Sequence, residues 1–114
     1  HDTIKVKDSS ALLTAADKPL VIDIRAPEMF AESHIPGSIN IPEDDLPGRS
    51  SELPTDRDAP IVTVCNIGKF SKHATLLLKS KGYRNVKSAK GGLGEWVRKG
   101  FEVESGSVET SPAG

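Results

Sequence analysis

Apolar and polar positions change rhythm several times along this chain, and each change marks an element. Residues 3–7 alternate apolar and polar, which predicts a short edge strand. Asp8 or Ser9 then offers an N-cap for a helix running through residues 11–16. Pro19 precedes the apolar run 20–24, a central strand in this reading. Pro27 suits the first turn of a second helix, with Glu28 near its positive end and Met29, Phe30 and Ile35 available to a core. Pro36-Gly37 signals a turn, and residues 38–41 alternate again as a strand closed by Pro42.

From Glu43 to Pro60 the pattern turns polar and is broken by prolines. It predicts a connector with short helical turns around residues 44–46 and 51–53, its mixed charges serving solvation. The β-branched run Ile61, Val62, Thr63, Val64 predicts a buried strand. After Ser71, the residues Ala74, Leu77 and Leu78 fall on one helical face with Phe70, and Gly82 stops that helix. Residues 85–88 read as a last short strand. A glycine-rich turn at 91–94 leads into a helix over 95–99 that Gly100 ends. Strands alternating with helices, five strands in all, predict an α/β fold: a mostly parallel sheet with helices on both faces. Ligands in such sheets bind beyond the carboxyl ends of the strands.

Composition narrows the picture. At 114 residues the chain is one domain, predicted over residues 1–103, with the Ser/Gly/Thr-rich stretch 104–114 as a disordered tail. A formal net charge of −1 argues against a nucleic-acid footprint or a polybasic membrane surface, and no apolar run approaches a membrane span. One cysteine excludes an internal disulfide and leaves the compartment open, and three scattered histidines do not make metal-ligand spacing, so neither metal nor cofactor is expected. The chain opens on His1, which leaves both a removed leader and an excised domain open.

The lone cysteine carries the candidate chemistry. Cys65 ends the Ile61 strand, and the helix follows a few residues later. A sulfur there faces a helix N-terminus, whose unpartnered N–H groups and dipole favour an anion and hence a thiolate. A buried strand-end cysteine can also serve as a small core hydrophobe. The polar, glycine-bearing stretch Asn66, Ile67, Gly68, Lys69, Phe70, Ser71 favours the anion nest instead, with Gly68 permitting a tight turn.

Three stretches, in order, resemble the rhodanese (sulfurtransferase) domain. The first is Asp23-Ile24-Arg25, then Phe30, then residues 34–42 from His34 to Pro42. The second is the loop from Cys65 to Ser71, and the third is Gly91-Gly92 with Trp96. The resemblance covers roughly residues 3–103 and implies the same five-stranded sheet. It implies that Cys65 attacks the outer sulfur of a small anionic donor such as thiosulfate and holds a persulfide. A thiophilic acceptor then removes that sulfur: cyanide or a thiol, including a protein thiol. Backbone N–H groups of residues 66–71 would surround the persulfide, with Lys69 the side chain nearest the donor unless it is simply a solvated loop lysine. Asp23 and Arg25 would support the site structurally. His34 reads as a structural histidine, His73 as surface, and Trp96 as packing. The domain is expected to act as a monomer.

One departure bears on the donor. Many single-domain members carry Arg where this chain has Phe70, which weakens attraction for a dianion and speaks against thiosulfate as the physiological donor. Cysteine phosphatases on related folds need Arg six positions after the cysteine. That position is Ser71, so phosphate-ester chemistry lacks its bidentate guanidinium. The remaining rival is a rhodanese-like docking or sulfur-relay module within a larger chain.

Overall fold

The computed structural model describes residues 3–12, 18–66 and 71–106. Five strands form one sheet: β1 (Thr3–Lys5), β2 (Leu20–Asp23), β3 (Ile39–Asn40), β4 (Ile61–Val64) and β5 (Val86–Lys90). Their order is β1-β5-β4-β2-β3, and every neighbouring pair runs parallel. Three helices, α1 (Val6–Leu12), α2 (Pro27–Glu32) and α3 (Ser71–Ser80), connect strands, and α4 (Gly92–Arg98) follows β5. No helix among the described residues is long and apolar enough to cross a membrane.

The period-two alternation of the strands divides the core between two faces. Ile22 and Ile61 point to one side, where they meet Ala74 and Leu78 of α3, with Leu46 and Leu53 from the connector. Val21, Val62 and Val64 point to the other, where Val6 of α1 and Leu93 and Trp96 of α4 cover them. The helices therefore lie on both faces. Thr63 is fully buried on β4, and its hydroxyl lies 3.0 Å from that of Thr75, so a polar contact joins β4 to α3 inside the core.

Several boundaries differ from the sequence reading. α1 starts at Val6, two residues before the expected caps, because Val6 is drawn into the core at 2 % exposure. The end of the predicted helix, from residue 13, lies outside the described residues. β5 extends past Ser88 to Lys90 because β1 pairs with Ala89 and Lys90 beyond the last residue that pairs with β4. α4 begins at Gly92, so Gly94 sits inside a helix. The connector holds two 3₁₀ segments, Glu43–Asp45 and Pro47–Glu52.

Hydrogen-bonded contacts also continue past the boundary expected at residue 103. His34 and Glu104 exchange backbone hydrogen bonds at 2.8 Å each, and Gly106 N–H reaches the Ala31 carbonyl at 2.7 Å. Residues 107–114 lie outside the described residues.

Candidate active site

Cys65 follows directly on β4, at the carboxyl edge of the sheet. It is 2 % exposed and packs with Ile22, Ile24 and Ala74. Its residue forms part of a cleft of about 410 Å³ whose other walls are Ile24, Arg25, Met29, Glu43 and Asn66. The chain just past the end of β2 delivers Ile24 and Arg25, α2 delivers Met29, and the first 3₁₀ segment delivers Glu43. Asn66 is exposed at the mouth, and Ser71 opens α3. Ile67, Gly68, Lys69 and Phe70, the rest of the expected loop, lie outside the described residues.

The backbone of Cys65 and Asn66 is fixed from behind by α4. Leu93 N–H donates to the Cys65 carbonyl at 2.8 Å, and Gly94 N–H donates to the Asn66 carbonyl at 2.9 Å. In a trans peptide the carbonyl and the next N–H point in opposite directions. Turning the Cys65 carbonyl toward α4 therefore aims the Asn66 N–H away from α4. The close approach depends on Gly92. Its φ is +61°, and a Cβ there would lie 2.1 Å from the Cys65 carbonyl oxygen. The Gly91-Gly92 landmark is thus a steric requirement of the cysteine's own backbone. A glycine pair in the sequence could signal a turn, but not which carbonyl it would press against.

Asp23 and Arg25 form the buried polar support beside the cleft. Residues two apart on extended chain face the same way, so both side chains meet. Asp23 Oδ1 accepts from the Arg25 backbone N–H at 3.0 Å and from Nε at 2.9 Å, while Oδ2 accepts from Nη2 at 2.8 Å. The two are 1 % and 8 % exposed. Arg25 Nη2 also donates to the carbonyl of Ser33, the C-cap of α2, at 2.6 Å. Asn40 Nδ2 donates to the carbonyls of Asp23 at 2.9 Å and Arg25 at 3.0 Å. Nε and Nη2 of the guanidinium are thus engaged by Asp23 and Ser33, and the residue also lines the cleft.

Other singled-out residues lie at a distance from this chemistry. His34 stacks on Phe30 with 3.7 Å between centroids, and its Nδ1 lies 2.7 Å from the Phe30 carbonyl. Trp96 packs against Phe101 and donates from Nε1 to the Glu102 carbonyl at 2.7 Å. His73 is exposed, its Nδ1 3.8 Å from Glu43. Glu43 corrects the sequence reading. It was grouped with the solvating charges of the connector, yet it forms part of the cleft wall. Only the return of the 3₁₀ segment onto β2 brings it there, through its backbone N–H on the Ile24 carbonyl at 3.2 Å. Met29, expected in the core, lines the cleft, and Asn40 braces the backbone of Asp23 and Arg25 beside it.

The comparisons agree with this architecture. The rhodanese-like domain model matches residues 7–99, and the chain belongs to that family. It is 35% identical over 99 residues to a sulfurtransferase of Allochromatium vinosum, covering 84% of this chain and 91% of that protein. It is 37% identical over 86 residues to the adenylyltransferase and sulfurtransferase of Ogataea parapolymorpha, covering 75% of this chain but only 22% of the longer protein. The crystal structure of thiosulfate sulfurtransferase from Pseudomonas aeruginosa superposes with a TM-score of 0.80 at 27% identity, over 93% of this chain and 20% of that one. The family is thus one of sulfurtransferases, found both as short proteins and as parts of long ones.

Proposed function

We propose that this protein moves a sulfane sulfur from an anionic or persulfide donor to a thiophilic acceptor, through a persulfide on Cys65. The observation that carries the reading is the position of Cys65 after β4, in the wall of a cleft, with its carbonyl turned away by α4. With thiosulfate, the Cys65 thiolate attacks the outer sulfur. A new S–S bond forms, the old one breaks, and sulfite leaves with the electron pair. An acceptor thiolate or cyanide then attacks the terminal sulfur, and the Cys65 thiolate departs. The terminal sulfur of the intermediate is anionic. Amides of Asn66, Ile67, Gly68, Lys69, Phe70 and Ser71 are the donors assigned to it, and Lys69 is the side chain assigned to the donor.

In this reading Asp23 and Arg25 hold the cleft wall and do not touch the reacting sulfur. Arg25 engages Asp23 and Ser33 through Nε and Nη2, and Glu43 adds a carboxylate to the wall. Both features favour a persulfide donor over dianionic thiosulfate as the working substrate. A second reading, delivery of sulfur to a partner within a longer chain, draws on the relative of which this chain spans 22%.

Intact mass after incubation with thiosulfate, or with a low-molecular-weight persulfide, tests the proposal. Native protein is expected to gain one sulfur that cyanide removes, and Cys65→Ser to gain none. A native thiol left unmodified by both donors refutes the enzyme.

A further inference from the structure

A second cavity, of about 470 Å³, opens on the same carboxyl rim of the sheet as Cys65. Its walls are Lys5 at the end of β1, Val6 and Lys7 at the start of α1, Lys90 at the end of β5, Gly91, and Glu95 and Lys99 around α4. Four lysines and one glutamate thus line it. The glutamate's carboxylate is already engaged: Arg98 binds Glu95 through Nε and Nη2 at 2.9 Å each, and Lys99 Nζ lies 4.0 Å from it. Lys5, Lys7 and Lys90 make no ion pair among the described residues.

The arrangement works against stability. Lys5 and Lys90 are register partners on adjacent strands, and like charges placed directly opposite each other repel. A lysine on β1 is useful edge protection against strand pairing. That reason does not extend to Lys90, which sits on β5, between β1 and β4. A multiply charged anion in the cavity would turn the repulsion into attraction.

The lining also narrows the ligand. It contains no aromatic ring or arginine plane, so nothing stacks a nucleobase or grips a single phosphate by a bidentate fork. Val6 is its only apolar side chain. The cations come from two strands, α1 and the end of α4, so the complementary charges are spread out too. We infer that this cavity binds several spaced carboxylates on one ligand, either a small polycarboxylate or a run of acidic residues in a partner protein. Gly91 lines the cavity, and the next residue, Gly92, presses on the Cys65 carbonyl. That contact is with the backbone: Val6 packs in the core on one face of the sheet, and the Cys65 side chain packs in the core on the other. The binding does not rest on the sulfur-transfer reading.

The test is a protein-observed NMR titration at low ionic strength with citrate and, separately, with an oligoglutamate peptide. Saturable shifts are expected at the amides of Val6, Gly91 and Glu95, with affinity falling about tenfold in Lys5→Gln/Lys90→Gln and weakening with salt. Lys99→Gln serves as the second variant where the double one unfolds, with a smaller loss expected. Citrate binding identifies a free small ligand, and oligoglutamate binding identifies a protein segment. Either supports the site. The inference is overturned if neither probe gives saturable shifts at those amides, or if the variant binds as tightly as native protein. Cys65→Ser is expected to keep the binding, so failure of the anion site and failure of sulfur transfer are read separately.

Discussion

The site's strictest demand falls on a residue with no side chain. Gly92 holds φ at +61° with the Cys65 carbonyl where its Cβ would be, and the blocking atoms are backbone, which cannot swing aside. Gly92→Ala must therefore either break the Leu93–Cys65 hydrogen bond or strain the start of α4. We expect it to cost more than about 2 kcal/mol in urea unfolding and to slow persulfide formation on whatever protein remains folded. Gly48→Ala is the control, since nothing lies within 4 Å of a Cβ there and the backbone is not left-handed. Equal stability of the two variants would refute the steric account. At this scale the position of Cys65 at a strand end and the Asp23–Arg25 pair were legible because both are local: a lone cysteine ending an apolar run, and two opposite charges two positions apart. Glu43 and Gly92 were not, because their roles arise from contacts with residues about twenty positions or more away in the chain, which no local pattern encodes.

Between elements, the cleft is held open by a clamp rather than by packing alone. Arg25 ties the end of β2 to the C-cap of α2, and Asn40 ties β3 to the same corner. Breaking a buried ion pair from one side leaves an uncompensated charge and costs about 3–5 kcal/mol. Arg25→Met is expected to fall in that range, because Asp23 at 1 % exposure keeps its carboxylate and loses its partner. The double variant Asp23→Leu/Arg25→Met removes both charges and should recover most of the loss, as read by denaturant midpoints. A double variant no more stable than Arg25→Met would show that the pair acts through its geometry at Ser33 and not through its charge. The strands β2 and β4 were readable at nearly their observed lengths, since burial on both faces leaves a continuous apolar run. β5 and the start of α1 were misjudged by about two residues at one end. There the deciding force is tertiary: a strand partner for Lys90, a core position for Val6.

Over the whole molecule, charge is nearly balanced, with 15 Lys and Arg against 16 Asp and Glu. That balance is partly organised into surface pairs between segments. Arg84 donates to Asp58 at 2.7 Å and so ties the connector to the turn before β5, and it holds the Asp58 carboxyl below its ordinary value. Hydrogen bonds from Arg49 and Arg98 do the same for Glu52 and Glu95. A carboxyl whose folded pKa lies below its unfolded one binds fewer protons when folded. Its contribution is complete above the ordinary carboxylate range and is lost as pH falls through the lowered value. Asp58 and Glu52 are exposed and Glu95 is half-buried at the surface, so each contribution is small and screened by salt. Protonation of all the carboxylates also uncovers the 15 fixed cations and the three histidines, and self-repulsion adds to the loss. The urea midpoint should therefore stay level from neutral pH down to the top of the carboxylate range and fall below it. Moderate salt should lower the plateau slightly and flatten the fall, because it screens the pairs above the transition and the repulsion below it. A midpoint that already drops well above the carboxylate range would overturn this account.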